Sequence, residues 1–332
     1  MLHYAIQCHG PDLEQVRWLL RLLDHPAVSI AVWHDGLHDD RPLWGGAESA
    51  AHISYQASGA LTYCGYSQVS ALLTSLRFAL EHEAKWEWFI NLSGTCAPLR
   101  PQQDVISFLS AQQEKGILNH FFSFRVRRAV PDLVLSDLAG LHYELVPVRR
   151  PMLYCEQGSR SVFENPELNP FSNPAMRTHL QVAEILGART LYVRPPLTEE
   201  SRSRHDFFRH HPHFAGRAWF VMHRRVCELL TDSFLHPEAL FPNLFSRCLM
   251  PDESAIHTWM RSRKDVLERS VAVDNLRLDM GRPQILGSRD ISRLASTRAL
   301  FARKIRFGDA LLRTYLENAA VSGTSSRISA RP

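Results

Sequence analysis

The 332-residue sequence lacks paired cysteines and long apolar runs. None of its six cysteines forms a C-x-x-C pair or has zinc-finger spacing, so we expect buried thiols in a reducing compartment rather than a disulfide scaffold. No apolar run approaches the roughly 20 residues that a membrane-spanning helix needs, and the first residues do not resemble a signal peptide. We therefore expect a cytoplasmic protein, with peripheral docking at the inner face of a membrane left open.

Several motifs that define common enzyme classes are also missing. There is no G-x-G-x-x-G after the first predicted strand and no Walker A loop, which argues against dinucleotide oxidoreductases and P-loop kinases. The G-x-S-x-G elbow is absent. No D-x-D triplet occurs, so a nucleotide-sugar enzyme with this sequence would have to neutralise its leaving diphosphate with fixed Arg or Lys side chains.

What is present is an ordinary globular composition. Hydrophobic residues make up 45% and charged residues 22% of the chain, which argues against disorder or coiled coil as the main state. The formal net charge of +4 is too small, over this length, to indicate nucleic-acid binding by itself.

Buried strands alternate with helices in the N-terminal third. The strands are predicted at 3–8, 28–33 and 88–92, and helices begin near Pro11, Ser67 and Pro101. This alternation predicts an α/β fold with a mostly parallel sheet flanked by helices. Ligands of such sheets bind beyond the carboxyl ends of the strands, so the polar residues that follow the three strands are expected to form one site.

The rest of the chain is less regular. We predict a strand at 219–222, a helix that begins at Asp252-Glu253 and runs to about residue 263, and a last helix at 309–317. The polar, small residues 319–332 are predicted to form a disordered tail.

Four segments, taken together and in this order, carry a resemblance to a known family. They are WEWFINLSG (86–94) with Pro98-Leu99, FAGRAWFV (214–221), PDE (251–253) and LFARK (300–304). The sequence resembles the core 2/I-branching β-1,6-N-acetylglucosaminyltransferases, a family that also contains the peptide O-xylosyltransferases.

This resemblance implies a GT-A-like single domain over residues 1–318. Its nucleotide-binding half would span about 1–125 and its acceptor and catalytic half about 126–318. It further implies a UDP-sugar donor, inversion at the anomeric carbon and no metal or other cofactor. The donor is expected to be UDP-GlcNAc, with UDP-xylose as the alternative.

The resemblance also implies roles for individual residues. Glu253 would be the catalytic base. The alternative is that Asp252 and Glu253 only lie in the first turn of a helix, where the helix dipole stabilises their negative charges. The residues implied in nucleotide-sugar binding are His9, Asp35, Tyr63, Arg282 and Lys304. Those implied in the acceptor or sugar pocket are Gly216, Arg217, Trp219 and Asp252. Because Trp219 lies within a predicted strand, the sequence favours a core residue there over a platform that stacks on sugar.

The sequence departs from the family at Cys96, where many members have Asp, and it lacks the family's Golgi anchor. These differences suggest a bacterial-type enzyme that acts on a polysaccharide or lipid-linked glycan precursor.

Other interpretations stay open. One is a metal site in the histidine cluster of residues 205–213, for which no accompanying acidic or Cys ligand is seen at helical spacing. A second is a protein that binds nucleic acid or an anionic glycan through the basic runs near residues 125–128 and 149–150. A third is a non-catalytic member of the family.

Overall fold

The computed structural model describes residues 1–8, 13–34, 49–57, 66–82, 85–121, 123–125, 153–155, 158–160, 191–192, 214–236, 239–245, 251–271, 277–279 and 285–322. The strands are β1 Leu2–Cys8, β2 Val28–His34, β3 His52–Ala57, β4 Trp88–Ser93, β5 Ala97–Pro98, β6 Asn119–His120, β7 Ser123–Arg125, β8 Leu153–Cys155, β9 Gly158–Arg160, β10 Leu191–Tyr192, β11 Phe214–Gly216, β12 Val221–His223, β13 Ser270–Val271, β14 Arg277–Asp279 and β15 Phe301–Arg303. The helices are α1 Leu13–Leu23, α2 Ser67–His82, α3 Gln102–Glu114, α4 Arg224–Leu235, α5 Leu240–Phe245, α6 Ala255–Ser262, α7 Lys264–Leu267, α8 Ile291–Ser296 and α9 Ala310–Ser322, with 3₁₀ turns at Pro251–Glu253 and Ser288–Asp290.

Seven strands form the central sheet, in the order β13-β6-β12-β4-β1-β2-β3. Strand β1 is parallel to β2 on one side and to β4 on the other, β2 is parallel to β3, and β13 is parallel to β6. Strand β12 is antiparallel to both of its neighbours. The predicted α/β class, a mostly parallel sheet flanked by helices, is confirmed.

The sheet is covered on both faces. Successive side chains of a strand point to opposite faces, and accordingly Ala5 and Phe89 belong to one apolar cluster while Tyr4 and Ile90 belong to another. The first cluster packs the sheet against α2, α4 and α6, and the second packs it against α1 and α3. Because β1 and β4 are buried from both sides, their sequences are nearly continuous hydrophobic runs.

The C-terminal part of the chain packs beside α1. Its apolar residues, which include Leu286, Leu294, Leu312 and Leu316, form a third cluster with Trp18. The Trp18 indole also donates a hydrogen bond of 2.8 Å to Glu317 on α9. Strand β15 pairs with β14 and, antiparallel, with β5, so the C-terminal segment lies directly against the residues that follow β4.

Three predicted boundaries are corrected by the structure. The strand expected at 219–222 begins at Val221, because the Ala218 carbonyl and the Phe220 amide bond to the side chain of Asn91 rather than to the backbone of a neighbouring strand. Asp252 and Glu253 lie on a 3₁₀ turn instead of inside the helix, since the Ser254 amide bonds back to the Pro251 carbonyl and the regular helix starts at Ala255. Helix α9 continues to Ser322, so residues 319–322 are helical rather than part of a tail.

In the described residues, no helix has the length and apolar character needed to cross a membrane.

Candidate functional site

The carboxyl ends of β1 and β4 form the edge of the sheet where the candidate site lies. The chain runs from β1 outward to β2 and β3 and then returns to β4 on the other side of β1, and this reversal is where open α/β sheets bind ligands. The loop after β4 crosses the end of β1 closely, with the Gly94 amide donating to the Gln7 carbonyl at 3.1 Å. A Cβ on Gly94 would lie 3.0 Å from Val16 Cγ2 and 3.5 Å from Cys8 Sγ, so only glycine fits without displacing Val16.

The turn after β4 is held by its own side chains. Ser93 Oγ lies 3.0 Å from Thr95 Oγ1 and 3.4 Å from Cys96 Sγ, and the Cys96 amide donates to the Ser93 carbonyl at 3.0 Å. The Cys96 side chain is fully buried in the apolar cluster beneath α1 and α3. The cysteine found at the usual Asp position of the family is therefore a packing residue that also closes this turn.

Asn91 on β4 ties the segment before β12 to the sheet. Its side-chain amide donates to the Ala218 carbonyl at 2.8 Å, and its side-chain oxygen accepts from the Phe220 amide at 2.5 Å. Asn91 is buried, and its bond to the Phe220 amide forms away from water, where an unpaired partner would be costly. Its bond to the Ala218 carbonyl is partly buried. The bonds fix residues 218–220, and with them Trp219, beside the end of β4.

Arg303 joins the segments that surround this edge. The pairing of β15 with β5 brings it to the turn after β4, where its Nε donates to Ser93 Oγ at 3.3 Å. Its guanidinium lies over the Trp219 ring, 4.6 Å from the ring centroid, which is cation–π geometry. Its charge also acts on the carboxyl of Asp252. All four segments that carry the family resemblance thus meet around Arg303.

Asp252 occupies a strongly desolvated position on the 3₁₀ turn. Burial among protein atoms raises its pKa to about 6, although the backbone N–H groups of Asp252 and Glu253 and the Arg303 charge act in the opposite direction. The desolvation outweighs these favourable contacts. Glu253, the next residue, is half-buried. The turn also lies against α2, so two adjacent carboxyl groups are held in a partly enclosed position.

His257 on α6 positions the predicted acceptor segment. Its Nε2 donates to the Arg217 carbonyl at 2.8 Å, and its ring packs 5.0 Å from the Phe220 ring centroid. Burial lowers the pKa of His257 to about 4, so the imidazole is neutral near pH 7. Thr258 holds the same segment through the Phe214 amide and carbonyl, at 3.2 and 3.1 Å.

The structure brings together five of the predicted site residues. Glu253 and Asp252 share the 3₁₀ turn, Trp219 faces Arg303, and Arg217 is anchored by His257. Gly216 ends β11, one residue before Arg217. Trp219 is half-buried and precedes β12, so the interpretation of it as a core residue within a strand is wrong. One ring face is covered by Arg303, and the side chain retains exposed surface.

Lys304 directly follows β15, next to Arg303. It is half-buried, and its carbonyl accepts the Leu286 amide at 2.7 Å. The other predicted nucleotide-sugar residues, His9, Asp35, Tyr63 and Arg282, lie outside the described residues. His9 and Asp35 come immediately after the last residues of β1 and β2 in the chain.

Sequence reasoning missed three residues that organise the site: Asn91, His257 and Arg303. Arg303 lies inside the LFARK segment, but the resemblance assigns a role there only to Lys304. Asn91 lay within a quoted motif, yet its polar side chain on a buried strand was the signal that it bonds a backbone segment. His257 carried no such signal, because its role depends on the placement of α6.

Two other sequence interpretations concern residues that the structure does not describe. The histidine cluster of residues 205–213 lies outside the described residues, as do the arginines at 127, 128, 149 and 150. Within the described ranges, no three His, Cys, Asp or Glu side chains are grouped as metal ligands would be.

Comparisons with known proteins were made for the whole chain. Residues 4–128 match the family model described as Branch: Core-2/I-Branching enzyme. A search of curated proteins finds no match. Among solved structures, mouse xyloside xylosyltransferase 1 in its apo form is 9% identical, with 91% of this chain and 97% of that chain covered and a TM-score of 0.37.

A second solved structure, the CMP-2-keto-3-deoxy-manno-octonic acid synthetase complexed with CTP, is 11% identical. The match covers 72% of this chain and 79% of that chain, with a TM-score of 0.28. At these TM-scores neither structure bears on function. The family match over residues 4–128 agrees with the resemblance drawn from the sequence segments, and the protein is accordingly a glycosyltransferase that is similar over these residues to the core-2/I-branching enzymes.

Proposed function

We propose that this glycosyltransferase is an inverting, metal-independent enzyme that transfers GlcNAc, or alternatively xylose, from a UDP-sugar to an acceptor hydroxyl. One observation carries the proposal: the segments 86–98, 214–221, 251–253 and 300–304, which are far apart in sequence, meet around Arg303 at the carboxyl edge of the sheet. Three of these segments lie outside the part of the chain that matches the family model, so their convergence is independent support.

Glu253 is the proposed catalytic base. In an inverting transfer the acceptor hydroxyl attacks the anomeric carbon in a single in-line displacement, and it must lose its proton as the new bond forms. A carboxylate within hydrogen-bond reach accepts that proton. The half-buried position of Glu253, on a turn that adjoins both α2 and the Trp219 segment through Arg303, supports this role.

The leaving UDP is proposed to be stabilised by Lys304 and Arg282. The bond that breaks joins the anomeric carbon to the diphosphate, so negative charge develops on the phosphate oxygens. Cations held in a partly dewatered site stabilise that charge more strongly than they would in water. Lys304 is half-buried beside the carboxyl edge of the sheet, and the missing D-x-D triplet makes such a cationic arrangement necessary for a metal-free transfer.

The acceptor is proposed to bind along Gly216, Arg217 and Trp219, next to Asp252. A hydroxyl of a glycan or lipid-linked saccharide in bacterial polysaccharide synthesis fits the proposed role, in a cytoplasmic enzyme that docks peripherally on a membrane.

The proposal is tested by measuring binding and hydrolysis of a panel of nucleotide sugars, with and without EDTA. Saturable binding of a UDP-sugar that EDTA leaves unchanged supports a metal-independent transferase and names the sugar. A requirement for a divalent metal would overturn the cationic stabilisation of UDP. Binding of UDP without turnover on any acceptor would favour a non-catalytic member of the family.

The base is tested with Glu253→Gln. We expect turnover to fall by about 10²-fold or more, the range typical of general-base catalysis, while UDP affinity stays close to that of the wild type, because a base acts mainly in the transition state. Glu228→Gln, a change at an exposed carboxylate on α4 that pairs with Arg224, is the matched control and is expected to leave turnover unchanged. Full activity in Glu253→Gln would rule out this residue as the base.

A further inference from the structure

Arg261, on α6, is held in place by two aromatic rings and a hydroxyl. Its guanidinium carbon lies 5.5 Å from the centroid of the Phe121 ring and 5.3 Å from that of the Phe214 ring. Its Nε donates to Ser123 Oγ at 2.8 Å. These three contacts fix the plane of the guanidinium and use one of its five N–H donors.

The charge of Arg261 is not balanced by a carboxylate in the part of the chain that the structure describes. The next arginine, Arg263, forms two hydrogen bonds to Asp265, at 2.9 and 2.7 Å. Arg261 has no such partner there, and burial lowers its pKa from the ordinary value. A fixed, partly desolvated guanidinium whose terminal nitrogens are not paired with an acid matches the geometry of a carboxylate or a phosphate group.

Arg261 lies beside the segment proposed to bind the acceptor. Its partner Ser123 on β7 is directly opposite Gly216 on β11 in the strand pairing. His257, one helical turn before Arg261, holds the Arg217 carbonyl. Helix α6 begins at Ala255, just after the 3₁₀ turn that carries Glu253. The six residue steps from Ala255 to Arg261 correspond to roughly 9 Å along the helix at a rise of 1.5 Å per residue, a separation that an acceptor longer than one sugar spans.

We infer that Arg261 binds an oxyanion of the acceptor, a carboxylate or a phosphate, at a point remote from the reacting hydroxyl. The acceptor would then be an anionic saccharide: either an acidic glycan or one carried on a phosphate. This inference rests on the proposed function only where it identifies the bound molecule as the acceptor. The oxyanion site itself rests only on the geometry around Arg261.

The test compares the binding of glucuronic acid, glucose 6-phosphate and glucose by ligand-observed NMR titration. The wild type is measured beside Arg261→Met, which keeps an unbranched apolar side chain between the two rings, and Arg261→Gln. Arg263→Gln, at the cap residue that follows α6, is the matched control. A urea melt of each variant first establishes that it folds. If Arg261→Gln does not fold, the comparison is made with Arg261→Met alone.

We expect the wild type to bind at least one of the two anions more tightly than glucose. Removal of Arg261 should weaken the binding of that anion about 10- to 100-fold, because a charged hydrogen-bond pair is lost. The binding of glucose should stay unchanged. The anion that binds more tightly distinguishes a carboxylate source from a phosphate source. Equal anion binding by the wild type and Arg261→Met, or no preference of the wild type for anions over glucose, would overturn the inference.

Measuring UDP binding in the same proteins separates this inference from the proposed function. Arg261→Met is expected to bind UDP like the wild type, because Arg261 is placed with the acceptor. Unchanged anion binding together with intact UDP binding would overturn only the Arg261 site. Failure of the wild type to bind any UDP-sugar would overturn the transferase proposal, whatever the anion titration shows.

Discussion

The guanidinium of Arg303 interacts with three of the segments that form the candidate site. It bonds Ser93 at the end of β4, stacks on Trp219 before β12, and acts electrostatically on Asp252 in the 251–253 turn. A planar guanidinium can satisfy all three at once, whereas an ammonium ion provides a point charge without a stacking face. Arg303 is therefore a positioning residue, distinct from Lys304, to which we assign the diphosphate.

At the scale of single residues, we predict that Arg303→Lys keeps the positive charge of this side chain but weakens catalysis, because the planar guanidinium is lost. The positive charge near Asp252 remains, but the stacking on Trp219 and the directed bond to Ser93 are lost, so the acceptor side of the site should loosen. We expect kcat/KM to fall by roughly 10-fold or more, the effect of about 1.4 kcal/mol in the transition state, with UDP affinity within about 2-fold of the wild-type value.

The measurement is steady-state transfer kinetics together with UDP titration. Arg306→Lys, at an exposed arginine three residues away, is the control and should behave as the wild type. A variant Arg303→Lys with unchanged kcat/KM would show that the stacking geometry is dispensable.

At the scale of single elements, the hydrogen bonds from β4 to residues 218–220 decide where β12 begins. The side chain of Asn91 replaces the neighbouring strand as the partner of the Phe220 amide and the Ala218 carbonyl. We predict that Asn91→Leu destabilises the fold by about 2–4 kcal/mol, because one buried and one partly buried backbone group lose their partner.

Urea unfolding measures this loss directly. Asn91→Leu is expected to lower the denaturation midpoint without changing the denaturant slope, since a change in stability leaves the exposed surface alone. Wild-type stability in this variant would mean that the two backbone groups find other partners.

The elements show how far periodicity alone predicts the fold. Helix α2 begins at Ser67 and β4 spans Trp88–Ser93, close to the predicted bounds, because each has an apolar pattern that is visible in the local sequence. The start of β12 and the 3₁₀ turn at 251–253 were misplaced, because the deciding hydrogen bonds come from Asn91 on another element and from the tight Pro251–Ser254 contact.

Across the whole molecule, several histidines are buried as neutral side chains. Burial lowers the pKa of His3 to about 3 and those of His120 and His257 to about 4. In the unfolded chain each would titrate near 6.5. Between about pH 6.5 and pH 4 the unfolded chain therefore binds protons that the folded protein does not, so stability is full above pH 6.5 and falls as the pH is lowered.

We predict that each of these histidines lowers the free energy of unfolding by roughly 1.4 kcal/mol for every unit by which the pH falls within that window. Asp252 acts in the opposite sense, because its raised pKa of about 6 lets the folded protein hold a proton that the unfolded chain releases above its ordinary value. Urea melts at pH 7.5, 6.5 and 5.5 measure the net slope.

His120→Phe isolates one histidine. The His120 ring packs against Trp88 and Phe108, and neither ring nitrogen has a hydrogen-bond partner among the described residues, so phenylalanine should fit. We expect the free energy of unfolding of this variant to depend less steeply on pH, by the contribution of one proton. We also expect the variant to be more stable than the wild type at pH 5.5. An unchanged slope would show that His120 does not contribute to the pH dependence.

The sequence alone determined the α/β class, the order of the first strands and helices, and the resemblance to the core-2/I-branching enzymes, because these follow from local periodicity and short motifs. It also singled out Glu253, Asp252 and Trp219. Only the tertiary structure decided that Arg303 joins the four segments, that Cys96 is a packing residue, and that Arg261 lies beside the segment proposed to bind the acceptor, without an acidic partner in the described residues. These depend on contacts between residues far apart in the chain, some of them more than 200 positions, which no local pattern encodes.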